Sequence, residues 1–163
     1  MESAQQLAFR FREVTLNGTW IANTNYKLAL STVTFEQATT KIGSLNSIAL
    51  LTYHLHYYMA GVTEAMRTGQ LTIKDSLSFG MSPLASDQVW QQLKENFLSD
   101  SEQFADEVES LTEQQLQEIF IDARYGTYRR NIESMIEHAY YHLGQVVLLS
   151  KLIKERAEES IVG

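Results

Sequence analysis

Three stretches of this chain repeat apolar side chains at threes and fours for more than twenty residues each, and the whole chain holds a single proline, Pro83. That pattern demands long helices, because strands would alternate at every second residue and proline-poor loops of this length are rare. The first stretch runs from about Ser44 to Arg67, with Leu51, Tyr58 and Ala65 in register and Leu50, Met59 and Val62 beside them. Ser44 or Asn46 can cap its start, and Gly69 can close its end. The second runs from about Ser86 to Leu111 on Val89, Leu93, Phe97 and Phe104. The third runs from about Tyr128 to Ala157, and its late cations Lys151, Lys154 and Arg156 suit the negative end of a helix dipole.

The N-terminal forty residues are less regular. Gln5 to Leu16 reads as helix, Asn17-Gly18 interrupts it, and the mixed pattern from Trp20 to Leu30 predicts a helix that begins there or resumes after the break. Thr34-Phe-Glu-Gln-Ala predicts a short helical turn. Thr112-Glu-Gln-Gln resembles a capping box and predicts a short helix to about Phe120. The connection from Gly69 to Pro83 is long enough to carry the chain from one end of a bundle to the other, which makes two neighbouring helices parallel. With 44% apolar and 20% charged residues the chain can fill a core. The expectation is one all-α domain over residues 1–163, built on four main helices, with a long crossover between the second and third.

Charge and missing residue types narrow the function. Thirteen basic residues stand against 20 acidic ones, a net −7 that argues against nucleic acid as a general partner. Cysteine is absent, so disulfides, thiol nucleophiles, iron–sulfur clusters and thiolate zinc sites are excluded. The opening MESAQQLAFRFREV lacks the basic-then-apolar layout of a secretory signal, and no apolar run reaches the ~18 residues of a membrane span. We expect a soluble, cytoplasmic protein with no membrane partner.

The four histidines fall on two of the helices. His138 and His142 are one turn apart and share a stripe with Met135, Gln145, Leu149 and Leu152, so both rings leave one face toward the bundle. His54 lies on the apolar stripe with Leu51, Tyr58, Gly61 and Ala65. His56 is turned about 200° away at ~100° per residue, which makes His54 the better third ligand. Three neutral imidazoles would bind a divalent ion and leave a coordination position open. Histidines at this spacing are also common as hydrogen-bonded core or surface residues, and the spacing alone does not choose. Other motifs are missing: no glutamate stands three residues before a histidine, His138 is followed by alanine so there is no HExxH, and there is no P-loop, GxGxxG or GxSxG.

The segment His138-Ala-Tyr-Tyr-His142-Leu-Gly144-Gln145 resembles the closing H-x-x-x-H-x-G-Q motif of the DinB-like (DinB/YfiT) superfamily. Asn46-Ser-Ile-Ala-Leu-Leu-Thr-Tyr-His54-Leu, followed by Tyr57-Tyr58 and Gly61, is similar to the segment that carries that superfamily's first ligand. Trp20 with Thr24-Asn25 matches its N-terminal helix more loosely. The resemblance spans about Leu7 to Leu152. It implies a four-helix bundle of up-down-down-up course, one divalent ion (zinc, nickel or iron) on His54, His138 and His142, and pairing into a homodimer. It also implies metal-dependent transfer of a low-molecular-weight thiol, isomerisation or hydrolysis acting on a small molecule.

Tyr58 and Gln145 lie one turn from a ligand and are candidates for contacts to ligand or substrate, with ordinary packing as the competing role. Two classes of function follow. One is a metal-dependent enzyme of the thiol S-transferase or hydrolase kind, in which a thiol cosubstrate brings the sulfur that the chain lacks. The other is a noncatalytic bundle for ligand binding or stress response, with structural or vestigial histidines. Arg124, Arg129 and Arg130 are expected on a solvated basic face rather than at an anionic substrate. The acidic run from Asp100 to Glu109 is expected on a helix's outer face. Tyr53, Tyr57, Tyr58, Tyr140 and Tyr141 are expected to pack the bundle or a dimer face.

Overall fold

A computed structural model describes residues 2–162, so Met1 and Gly163 of the expected domain lie outside the described residues. The chain forms helices α1 (Ala4–Arg12), α2 (Tyr26–Ser31), α3 (Phe35–Thr39), α4 (Ile48–Thr68), α5 (Asp87–Ser110), α6 (Glu113–Gln117) and α7 (Tyr128–Val162). Among the described residues no strand forms; one isolated bridge joins Ile119 and Thr127.

Short polar side chains open these helices by accepting from backbone amides that would otherwise lack partners. Ser86 accepts from Val89 N, and Ser3, Thr34 and Thr112 each form a reciprocal capping box with the glutamine three residues on. The α4 cap is Ser47, which accepts from Leu50 N, and not Ser44 or Asn46. Three polar residues within four positions made the choice one of register. Gly69 ends α4 in the left-handed conformation at φ 72°, where a side chain would be strained. After α1 the backbone widens into a single π turn, Glu13–Asn17, and then leaves the helix at Gly18. A Cβ on Gly18 would fall 2.1 Å from Glu13 Cγ, so only glycine permits that exit.

Side-chain contacts fix the course of the chain. The N-terminal arm runs antiparallel to α5: Phe11 meets Phe104, Tyr26 meets Phe97, and Trp90 Nε1 donates to Val33 O. Along α4 and α5 the partners ascend together, with His56 on Asp100, Met59 on Ser101 and Arg67 on Glu107, so these helices are parallel. Helix α7 runs parallel to the arm, since Arg129 donates to Glu2 O and Tyr26 donates to Ala139 O. It is antiparallel to α4, because Leu51 shares a cavity with Leu149 and Val62 shares one with Met135. The result is the expected up-down-down-up bundle. Its fully buried centre includes Leu7, Phe11, Tyr26, Leu55, Met59, Trp90, Phe97, Phe104, Ile136 and Val146.

Several local expectations change. Helix α6 stops at Gln117 and not near Phe120, because Glu118 and Phe120 are drawn into backbone pairing with Tyr128 and Gly126. That turn buries Phe120 against the Tyr128 ring. Helix α7 continues past Ala157. The acidic run on α5 is exposed at Glu102, Asp106 and Glu109, yet these three converge on Arg12 and clamp α1 to α5. Asp100 and Glu107 are half-buried against His56 and Arg67 of α4. Arg129 is not solvated: it is 7% exposed, tied to Glu2 O and Glu113.

The crossover lies along α4 at close range. A Cβ on Gly61 would fall 2.2 Å from Ile73 Cγ2. Alanine normally stabilises a helix interior by ~1 kcal/mol over glycine, but here it must push the crossover away. We expect Gly61→Ala to lower the urea midpoint, by ~1–3 kcal/mol of overpacking, and Ile73→Ala to relieve that loss in the double variant. An additive double variant would show that Gly61 and Ile73 do not pack as described.

Candidate metal centre

The site grows out of two antiparallel helices. Helix α4 carries His54 on its buried stripe, and α7 presents His138 and His142 one turn apart. One ring nitrogen from each lies within 4.8 Å of the other two, with His54 and His142 buried and His138 half-buried. His54 Nε2 and His138 Nε2 are 3.2 Å apart. Nitrogens bound at ~2.0–2.1 Å to a tetrahedral ion stand roughly 3.3 Å from one another, so this pair already has ligand spacing.

The outer nitrogens settle which tautomers are present. His54 Nδ1 is 3.2 Å from Ser78 O, and a carbonyl can only accept, so the proton of neutral His54 sits on Nδ1. His142 Nδ1 likewise donates to Gln145 Oε1 at 2.7 Å. Both rings therefore turn an unprotonated Nε2 inward, the arrangement that second-sphere acceptors impose on metal-binding imidazoles. The donor set fits a divalent ion.

Burial keeps the rings neutral. His138 is pushed down to about 4, first by burial and then by the nearby charges of His142 and His54. Burial and then the charge of His142 lower His54, against the opposing bond to Ser78. Burial lowers His142 in the same way, opposed by Gln145. Neutral imidazole is the form that binds metal.

Tyr58 and Gln145, the two weaker candidates, are both at the site. Gln145 orients His142. The Tyr58 ring packs edge-on to His54 and His138, and its hydroxyl donates to Asp75 Oδ1 at 2.9 Å. Burial raises the Tyr58 phenol, so it remains a donor at neutral pH. His56 faces the other way and bonds Asp100 Oδ2 on α5 at 2.8 Å. Arg124 pairs with Asp122 and Arg130 with Glu137, so neither lines the histidine cavity. Tyr57 binds the crossover through Lys74, while Tyr141 stands 64% exposed beside His142.

Two residues of the site come from the crossover and were not singled out as site residues from the sequence. Ser78, 2% exposed, supplies the carbonyl to His54, and Phe79 stacks on the His54 ring with centroids 3.9 Å apart. Their one sequence signal is an aromatic-glycine pair, Phe79-Gly80, in a connection whose other apolar residues, Leu71, Ile73, Leu77 and Met81, are aliphatic.

An imidazole with a depressed folded-state pKa lets the unfolded chain bind an extra proton between its two pKa values, so stability falls as pH drops through that window. For His138 the window runs from its unfolded ~6.5 down to about 4. The metal-free protein should therefore show a lower urea midpoint near pH 5.5 than near pH 7.5. His138→Gln should shrink that difference. A midpoint that is flat between these pH values would mean that the rings are not held neutral.

Comparison with known families matches residues 24–162 to a family described as "Protein of unknown function (DUF1572)". No curated protein and no solved structure matches the chain.

Proposed function

The chain belongs to the DUF1572 family, and on that premise we propose that it is a DinB-like metalloenzyme acting on a small molecule. His54, His138 and His142 would hold one divalent ion, zinc, nickel or iron, and the reaction would be thiol S-transfer or hydrolysis. The convergence of three neutral imidazoles, two of them locked as inward-facing Nε2 donors, carries this reading. A bound ion would supply Lewis acidity, polarising a substrate atom and lowering the pKa of a nucleophile toward neutrality.

The chain's own residues prepare the site. Ser78 and Gln145 hold two rings in one tautomer, Phe79 stacks on the His54 ring, and Tyr58 packs edge-on to His54 and His138. A cavity of about 390 Å³, lined by Tyr58, Asn131, Ser134 and Met135, opens directly on His54 and His138. That volume admits a small organic molecule. With no cysteine in the chain, a thiol nucleophile would arrive with a low-molecular-weight cosubstrate. The proposal includes a homodimer located in the cytoplasm, as the resemblance implies.

The contrary reading, a noncatalytic bundle with structural histidines, draws on one contact. A single proton between His54 Nε2 and His138 Nε2, 3.2 Å apart, would join them as an ordinary hydrogen bond. Metal content of the untagged protein, measured by mass spectrometry beside His138→Ala, separates the two. We expect near one metal per chain in wild type and background levels in the variant, with the helical circular dichroism retained. Wild type that stays empty after incubation with zinc, nickel and iron would establish the structural role instead. In the metal-loaded protein, turnover of electrophiles with cellular thiols should vanish in His142→Ala.

A further inference from the structure

The α4–α7 seam holds a second cavity on the opposite side of the triad. Because the helices are antiparallel, one end of the seam carries Val62 and Tyr58 opposite Asn131 and Met135, and the other carries Leu51 opposite Gln145 and Leu149. The second cavity occupies about 360 Å³ at that other end, among Leu45, Asn46, Leu51, Gln145, Leu148 and Leu149. Its character differs from the rest of the surface. Leu45 and Leu148, on its rim, are 51% and 57% exposed, a cost in water that a bound apolar group would remove. No aspartate, glutamate, lysine or arginine lines it.

Its polar groups point to the ligand. Gln145 Oε1 is taken by His142 Nδ1–H at 2.7 Å, whereas the Gln145 amide hydrogens have no acceptor among the described residues. Asn46 adds a second amide, and Ser44 a neutral hydroxyl, at the same wall. A carboxylate or phosphate entering here would meet no cation, and an ammonium would meet no anion, so either charge would lose water without a partner. A carbonyl oxygen meets donors that are already in place.

We infer that this cavity is a ligand subsite for a neutral molecule with an apolar body and a carbonyl oxygen, the carbonyl accepting from the Gln145 amide. Gln145 touches both the ligand and His142, so an occupant is coupled to the orientation of a triad imidazole. That the subsite serves chemistry at the triad rests on the metalloenzyme reading above; the class of ligand does not.

The test titrates the full-length untagged protein with 6-propionyl-2-(dimethylamino)naphthalene, a neutral aromatic ketone whose emission reports the polarity around it. We expect saturable one-site binding, roughly tenfold weaker in Leu148→Asp, where a carboxylate on the rim would lose water against the apolar probe. Leu148 is a surface residue, so that variant keeps its fold. Binding should be unchanged in Ser134→Leu, which alters only the first cavity. Octanamide should displace the probe and octanoate should not. Equal binding to Leu148→Asp, or displacement by octanoate as readily as by octanamide, would overturn the assignment. Metal content of the same samples is read separately. Wild type empty of metal with Leu148-dependent probe binding would sink the metalloenzyme reading and uphold the subsite. A full metal load with Leu148-independent binding would sink the subsite alone.

Discussion

Two parallel neighbours, α4 and α5, cannot be joined by a tight turn, and everything distinctive about this bundle follows from that constraint. Helix α4 has 21 residues and so spans roughly 30 Å, and the chain must return that distance before α5 can start beside it. The returning segment does not hang free. Ile73 sits where Gly61 leaves room, Tyr57 and Tyr58 bind Lys74 and Asp75, and Ser78 and Phe79 close over His54. A connection that topology requires thus also builds one wall of the site and sets the tautomer of its first imidazole.

The site itself joins three helical histidines to supports drawn from different distances along the chain. Gln145 is one turn from His142 and orients it within a single helix. Ser78 reaches His54 across 24 residues. His54 meets His138 across 84 residues, which only the antiparallel docking of α4 on α7 brings about. The short-range support is set by helix geometry alone, while the long-range ones depend on the crossover and the bundle packing correctly.

This difference explains how much of the molecule could be read from its sequence. Apolar periodicity located α4, α5 and α7, and the Thr112 capping box located the start of α6, because both are local properties. The i,i+4 pair and the stripe through His54 singled out the three histidines that converge. The roles of Ser78 and Phe79 were not legible, since a backbone carbonyl carries no residue signature and the stacking depends on how a loop folds back. Nor was the Arg12 clamp: Glu102, Asp106 and Glu109 lie on one face of α5 like any solvated acids until α1 docks there. Arg129 misled for the same reason, its burial being decided by the arrival of Glu2.

The up-down-down-up course also sets an order of events while the chain is being made. The N-terminal arm emerges first, but its partners lie far ahead: Val33 waits 57 residues for Trp90, and Arg12 waits 90 for Glu102. At about 5–20 residues per second of synthesis, the apolar faces of Phe11 and Tyr26 stay unpaired for several seconds. Helix α4 emerges into the same interval, with α5 still to come and the crossover between them. The arrangement that gives the mature protein its crossover wall therefore leaves the nascent chain with two helical segments whose natural neighbour has not yet been translated.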